Sequence, residues 1–530
     1  MATTAEYTGG GKWEELVGAA LLGTERRQGD PAALLDAAAL QTVRRRAGLR
    51  PAAAGPRPQP APADPRPEPP EPARRRLAQL LAGRTGAGSG GGRRGAAPDL
   101  TELLPQWLAA AGRHGYRAPA ALLPALLDAA RARTDLRPQA LALAGPRGVW
   151  LARLNPDWRF ALRGGSGGGE LPGPEDRAGV EQLWQEGLFA ERVALLGSVR
   201  AHEPAAAVRL LSSTWGTERA EDRLMFLDSL RLGLSAEDEP FLEAALGDRS
   251  RNVRATAAEL LSALPGSALA GRMAERATAC VGPEGVVPPT ACDAGMQHDG
   301  VVKRPPAGRG ERAWWLGQLV EAAPLSCWQD RFGGLDPQRI VELPVTDGES
   351  WREELHAAWC RAAMRQRDAQ WSRALLGAAS APPATAPGTA SLAERAKLLS
   401  VLPDGERAEW VAQFVRAHGL SEAFQLLGVC DVPWAGTLGR AVVDALDAAR
   451  EAGSYPWSFS GVMGLAERCL DPAEADRLDA LTADAGAADY PGEGAAGAAA
   501  YWAEAFQRLA ATLRLRAAMR AELAPAAPLP

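Results

Sequence analysis

The stretch Asp248-Arg249-Ser250-Arg251-Asn252-Val253-Arg254-Ala255-Thr256-Ala257-Ala258-Glu259-Leu260-Leu261 decides the fold. Val253, Ala257 and Leu261 recur every four residues, the spacing that puts side chains on one face of an α-helix. Gly247 turns the chain just before it, so this face has an antiparallel neighbour to pack on. Asp248 is placed to cap the helix or bond the turn. Arg254 is placed to reach the Asp of a neighbouring helix pair. The preceding helix is also marked: Ser235 can cap it, with Asp238 three residues on, and Phe241, Leu242 and Leu246 follow. Such a pair cannot bury both apolar faces alone, so further pairs are expected to stack on it.

The same pattern spreads outward. Residues 180–280 read as short helices joined by loops of a few residues, which makes consecutive helices antiparallel neighbours. An echo appears further on, where Leu261-Ser262-Ala263-Leu264-Pro265 recurs as Leu399-Ser400-Val401-Leu402-Pro403. The expected organisation is N-terminal helices over 1–50, a Pro/Gly-rich flexible linker over 51–98 with a short helix at Arg74–Leu81, and a helical region over 99–162. A Gly-rich loop follows at 163–179, then the helical repeats of 180–280. An irregular connector covers 281–310, and a C-terminal repeat-like helical region covers 311–525. Stretches 379–390 and 483–499 read as weakly specified connections. Within the connector, Val286-Val287 and Val301-Val302 are candidates for a small hairpin near 286–302. The fold class is therefore all-α, an α-solenoid of helical repeats interrupted by Pro- and Gly-rich linkers.

The chain has 530 residues, 46% hydrophobic and 23% charged, enough to bury a large core. Its net charge of −5 argues against a dedicated nucleic-acid binder, which carries a basic face. All but three of the 59 basic residues are arginine, a composition that fits a GC-rich bacterial genome. No secretory signal and no run of about 18 apolar residues is present. The six cysteines are scattered, with no C-x-x-C pair. Together these point to reduced thiols and a cytoplasmic location.

The chemical motifs fail individually. Gly164-Gly165-Ser166-Gly167-Gly168 satisfies G-x-S-x-G, but that motif needs a strand before it and a helix after it. Gly9-Gly10-Gly11-Lys12 lacks the upstream glycine and the trailing Ser/Thr of a phosphate loop. Cys280, Cys292 and His298 match no zinc spacing. His202-Glu203 begins H-E-x-x-H, but Ala206 ends it. No catalytic residue, cofactor or metal is expected. The residues singled out are structural: Asp248, Val253, Arg254, Ala257 and Leu261. Most of the 16 tryptophans fall on apolar helix faces and are expected in the core. Arg44–Arg46 and Arg74–Arg76 read as solvated helix ends.

The Asp248–Leu261 stretch resembles the second-helix motif of HEAT repeats. Leu16–Arg26, Gly145–Trp158, the block from Asp238 to Met273, and Arg312-Ala313-Trp314-Trp315-Leu316 resemble an uncharacterised bacterial domain-of-unknown-function family. That family's genes lie near those of MoxR-type AAA ATPases, von Willebrand factor A proteins and SWIM zinc-finger proteins. The resemblance implies a protein-binding scaffold or adaptor, an accessory of a MoxR ATPase/von Willebrand factor A system, with one of those proteins as partner. It transfers no catalytic residue. The alternatives left open are an enzyme with a dispersed, motif-less active site and nucleic-acid binding along a solenoid groove.

Overall fold

The turn at Gly247 and the helix Arg251–Ser262 set the pattern for the molecule. Val253, Ala257 and Leu261 are all buried against the preceding helices, Ala220–Ser229 and Glu239–Ala245. Asp248 bonds the turn, its carboxylate accepting from the Ser250 amide at 2.7 Å. The helix ends at Leu261–Leu264, where Leu264 N–H donates to Leu261 at 3.0 Å. Leu402 N–H donates to Leu399 at 3.1 Å in the same way, so the two sequence echoes adopt one turn.

The structure is a computed structural model describing residues 13–23, 30–46, 59–86, 100–164, 172–173, 175–344, 349–383, 391–487 and 493–525. It is all-α, 73% helical with almost no strand among those residues. The Gly9–Lys12 and Gly165–Gly168 motif positions, and parts of the weakly specified stretches, lie outside the described residues.

The chain divides into two units, residues 1–62 and 63–530. In the first, helices Trp13–Leu22 and Pro31–Arg46 pack on one another, with Leu16 and Ala19 buried. Asp30 caps the second helix, accepting from the Ala32 amide at 3.1 Å.

The second unit holds two main cores. One is formed by helices Glu71–Gly86, Leu100–Arg113, Leu123–Ala132 and Arg137–Leu154, and includes Met519 and Leu523 of the last helix, Glu493–Leu523. The end of the chain thus packs on helices from its first third. Tyr116 donates its hydroxyl to the Leu523 carbonyl at 3.0 Å, and Arg76 pairs with Glu522 at 2.6 Å. The other core runs continuously from Val180 to Leu513. Most of the tryptophans lie there, Trp184, Trp328, Trp371, Trp434 and Trp502 being fully buried. Arg137–Leu154 bends at Gly145 (φ 57°), and a Cβ there would fall 2.3 Å from the Arg66 guanidinium and 2.6 Å from Asp64. Only glycine admits both the left-handed backbone and that approach.

Two expectations need correction. The short helix expected at Arg74–Leu81 within 51–98 is longer, Glu71–Gly86, and is packed into a core rather than part of a flexible linker, with Ala73, Leu77 and Leu80 completely buried. The proline-rich residues 63–70 just before it are held from outside. Their prolines donate no backbone hydrogen bonds, but Arg66 donates to the Ala142 carbonyl at 2.7 Å and pairs with Asp64, and Arg117 N–H donates to Pro67 at 2.9 Å. The hairpin is also misplaced: Val281–Gly282 pairs with Gly285–Val286. Val301-Val302 takes no part, because the intervening chain forms a short helix, Ala294–His298, and Val302 is bound to Gln318 instead.

Candidate functional site

Buried arginines join successive helix pairs and fix the walls of the surface concavities. Arg200, on Phe189–His202, faces Asp238 at the start of a later pair, and both side chains are 0% exposed. The pair is bidentate, Nη1–Oδ1 2.9 Å and Nη2–Oδ2 2.7 Å. The same guanidinium donates to the carbonyls of Leu230, Leu232 and Gly233, and Asp238 also accepts from the Ser235 amide. Arg223 repeats the arrangement one pair on, meeting Asp248 at 3.0 Å and the Glu218 carbonyl at 2.7 Å. Arg192 meets Glu218 beneath the rings of Trp184 and Phe226. Burial pushes the Glu218 carboxyl up, but hydrogen bonds from Arg192 and Thr214 outweigh it and hold the group below its ordinary range.

Of the residues singled out in the sequence, Val253, Ala257 and Leu261 are core, and Asp248 is the acceptor between two helix pairs. Arg254 differs from expectation. It reaches back to the Asp248 and Arg249 carbonyls, at 2.6 and 3.2 Å, rather than to a neighbouring Asp. It sits in the first turn of its helix, where the nearest acceptors are the carbonyls of the turn it has just left. The bridge between pairs is made by Arg223 from the helix before.

Helix Arg251–Ser262 is a wall of two concavities. One is a cleft of about 660 Å³. Leu234, Leu260 and Met364 give it apolar surface, and Arg231, Arg361 and Arg367 stand among its lining residues. Its carboxylates are already engaged. Glu259 takes Arg231 in a bidentate pair at 2.9 and 3.0 Å, and Glu321 takes both Arg361 and Arg365. The hydrogen bonds that Arg231 donates to Glu259 and then Asp228 raise its pKa, so it stays charged. Arg367 is exposed and adopts φ 54°, the one positive value among described residues other than glycine. Its conformation closes the helix Glu349–Gln366, letting the Asp368 amide donate to the Ala363 carbonyl at 3.0 Å.

The second concavity, about 320 Å³, is lined by Arg251, Arg254, Lys303, Arg304 and Gln297, with Gly300 at its base. A third, about 280 Å³, is apolar, with Val286, Phe332, Ile340, Leu355 and Trp359 around His356. Burial lowers the His356 pKa below its ordinary value and keeps the ring neutral, while its Nε2 lies 3.0 Å from the Val341 carbonyl.

Among the described residues, no three His, Cys, Asp or Glu side chains are grouped to hold a metal ion. All six cysteines are free, and burial pushes the Cys327 and Cys430 thiols up to about 12, far from thiolate at neutral pH. No described helix is long and apolar enough to cross a membrane. Sequence reasoning missed Arg231, Arg361, Arg367, Lys303 and Arg304, which are inconspicuous in an arginine-rich chain and converge only through the fold.

No curated protein matches the chain. A family model, described as a family of unknown function (DUF5691), matches residues 15–523, and the chain belongs to that family.

Proposed function

We propose that this protein is a helical-repeat scaffold or adaptor that binds other proteins. The observation that carries the reading is the cleft of about 660 Å³, where apolar Leu234, Leu260 and Met364 are accompanied by arginines from two separate parts of the chain. Apolar contact flanked by guanidinium groups is the composition of a protein-binding hot spot. The buried Arg200–Asp238 and Arg223–Asp248 pairs support the reading because they hold one wall rigid, which lowers the ordering cost of binding. The helix pairs of 204–280 are read as HEAT-like repeats, a stacking architecture suited to extended binding surfaces. The partner proposed from the family resemblance is a MoxR-type AAA ATPase or a von Willebrand factor A protein.

The test is affinity capture with the full chain as bait, comparing wild type with M364E/R367E. Neither residue is part of a buried ion pair. Enrichment of either partner class by wild type, and its loss with the variant, is the expected result. Equal capture by both baits removes the cleft from the account.

A further inference from the structure

The basic cup beside the cleft is built to present cations. Its floor depends on Gly300, whose φ of 92° and 2.5 Å approach of an added Cβ to Ala258 leave room for no other residue. That close packing presses the segment Val301–Arg304 onto helix Arg251–Ser262. Two tryptophans then fix the segment's backbone. Trp314 donates its indole N–H to the Val302 carbonyl at 2.7 Å, and Trp315 donates to the Lys303 carbonyl at 2.8 Å. Gln318 closes the arrangement, accepting from the Val302 amide at 2.8 Å. The backbone carrying Lys303 and Arg304 is thus immobilised while both side chains remain exposed.

The charge is uncompensated. Four cations line the cup and no carboxylate does. The nearby acids are committed elsewhere: Asp248 to Arg223, and Asp299 to Arg272 and Arg276 at 2.7 and 2.6 Å. Like charges brought together without a counter-charge oppose folding; the turn carbonyls account for Arg254, and the gathering of Arg251, Lys303 and Arg304 beside it is better explained by a ligand.

We propose that this cup binds a carboxylate-rich segment of a partner protein. The inference rests on the scaffold reading and supplies the chemistry of the partner. Position favours a peptide over a small anion. Arg251, at the cup, and Glu259, at the cleft, lie on one helix about 12 Å apart, a distance spanned by about four residues of extended chain. A segment seated in the cup is long enough to extend toward the cleft at the other end of this helix, where arginines again outnumber carboxylates. A net charge of −5 on the whole chain disfavours a nucleic acid, which would need a basic track extending well past four side chains.

The test uses the full chain and a fluorescein-labelled peptide of eight glutamates, followed by anisotropy. Saturable binding that weakens as salt is raised is expected. K303E/R304E should weaken it about tenfold or more, and K303Q/R304Q should weaken it by less. R440E, on an exposed arginine elsewhere, should leave it unchanged. Circular dichroism of each variant confirms that it folds. Peptide affinity unaltered in K303E/R304E overturns the proposal, as does a single-stranded oligonucleotide of equal charge that binds more tightly at the same site. If the variant loses the peptide but keeps partner capture, the cup is not where the partner docks, and the scaffold reading stands without it.

Discussion

Replacing Arg200 by Met tests how the helix pairs are joined. The substitution keeps side-chain length and apolar packing but removes every donor of the guanidinium. Asp238 is left completely buried with the Ser235 amide as its remaining partner, and the carbonyls of Leu230, Leu232 and Gly233 lose theirs. Breaking a buried pair from one side costs about 3–5 kcal/mol, because the surviving charge has no water to return to. That is a large share of the roughly 5–15 kcal/mol that stabilises a typical domain. Urea unfolding followed by tryptophan fluorescence reads the global loss. The core from Val180 to Leu513 is long enough to open in stages, so hydrogen exchange over residues 230–246 provides the local reading. R200M/D238L completes a double-mutant cycle, and the double variant should cost at least about 1 kcal/mol less than the sum of the two singles. A loss below about 1 kcal/mol for R200M, or strict additivity in the cycle, would refute the claim that this pair anchors adjacent helix pairs.

Other perturbations have equally definite outcomes. Gly300→Ala forces an unfavourable backbone and a contact with Ala258, and should destabilise by about 1–3 kcal/mol, read as a lowered Tm. Leu261→Ala should cost about 2–5 kcal/mol in the same assay, because the site is fully buried. The Asp299 carboxyl is pushed up by burial, but the hydrogen bonds from Arg272 and Arg276 prevail and hold it below the usual carboxylate range. A depressed carboxyl stabilises the fold above the unfolded pKa and loses that contribution as pH falls through the folded one. Acid titration of D299N should therefore show a shallower stability loss below about pH 4 than wild type. His356 has the opposite charge logic. Its folded pKa lies below the ordinary 6.5, so the unfolded chain takes up the proton first and stability falls as pH drops below that value. H356Q should remove this part of the pH dependence, and an unchanged profile between pH 6.5 and 5 would contradict the buried, neutral ring.

Local periodicity made the helices legible, and Val253, Ala257 and Leu261 were readable because one face of one helix determines their burial. The turn shared by Leu261–Pro265 and Leu399–Pro403 was visible for the same reason. What escaped the sequence depends on distant partners. Tyr116 meets Leu523, and Arg76 meets Glu522, across most of the chain. Helix Glu71–Gly86 is buried by residues that local composition cannot reveal, so its proline-rich surroundings suggested a linker. Arg254 is expected to pair with a neighbouring Asp but donates to backbone carbonyls instead: spacing along a helix gives a direction, and the carbonyls of the preceding turn lie within reach of its guanidinium. The candidate site was the least legible feature. Lys303 and Arg304 gain meaning only from Gly300 packing on Ala258 and from Trp314 and Trp315 holding the backbone.

The scaffold account is tested most directly by quantitative mass spectrometry of proteins captured from native cells on the wild-type chain and on M364E/R367E. The account predicts that a MoxR-type ATPase or a von Willebrand factor A protein is enriched on the wild type and lost from the variant. Neither class enriched in repeated captures, or equal recovery on both baits, would contradict it.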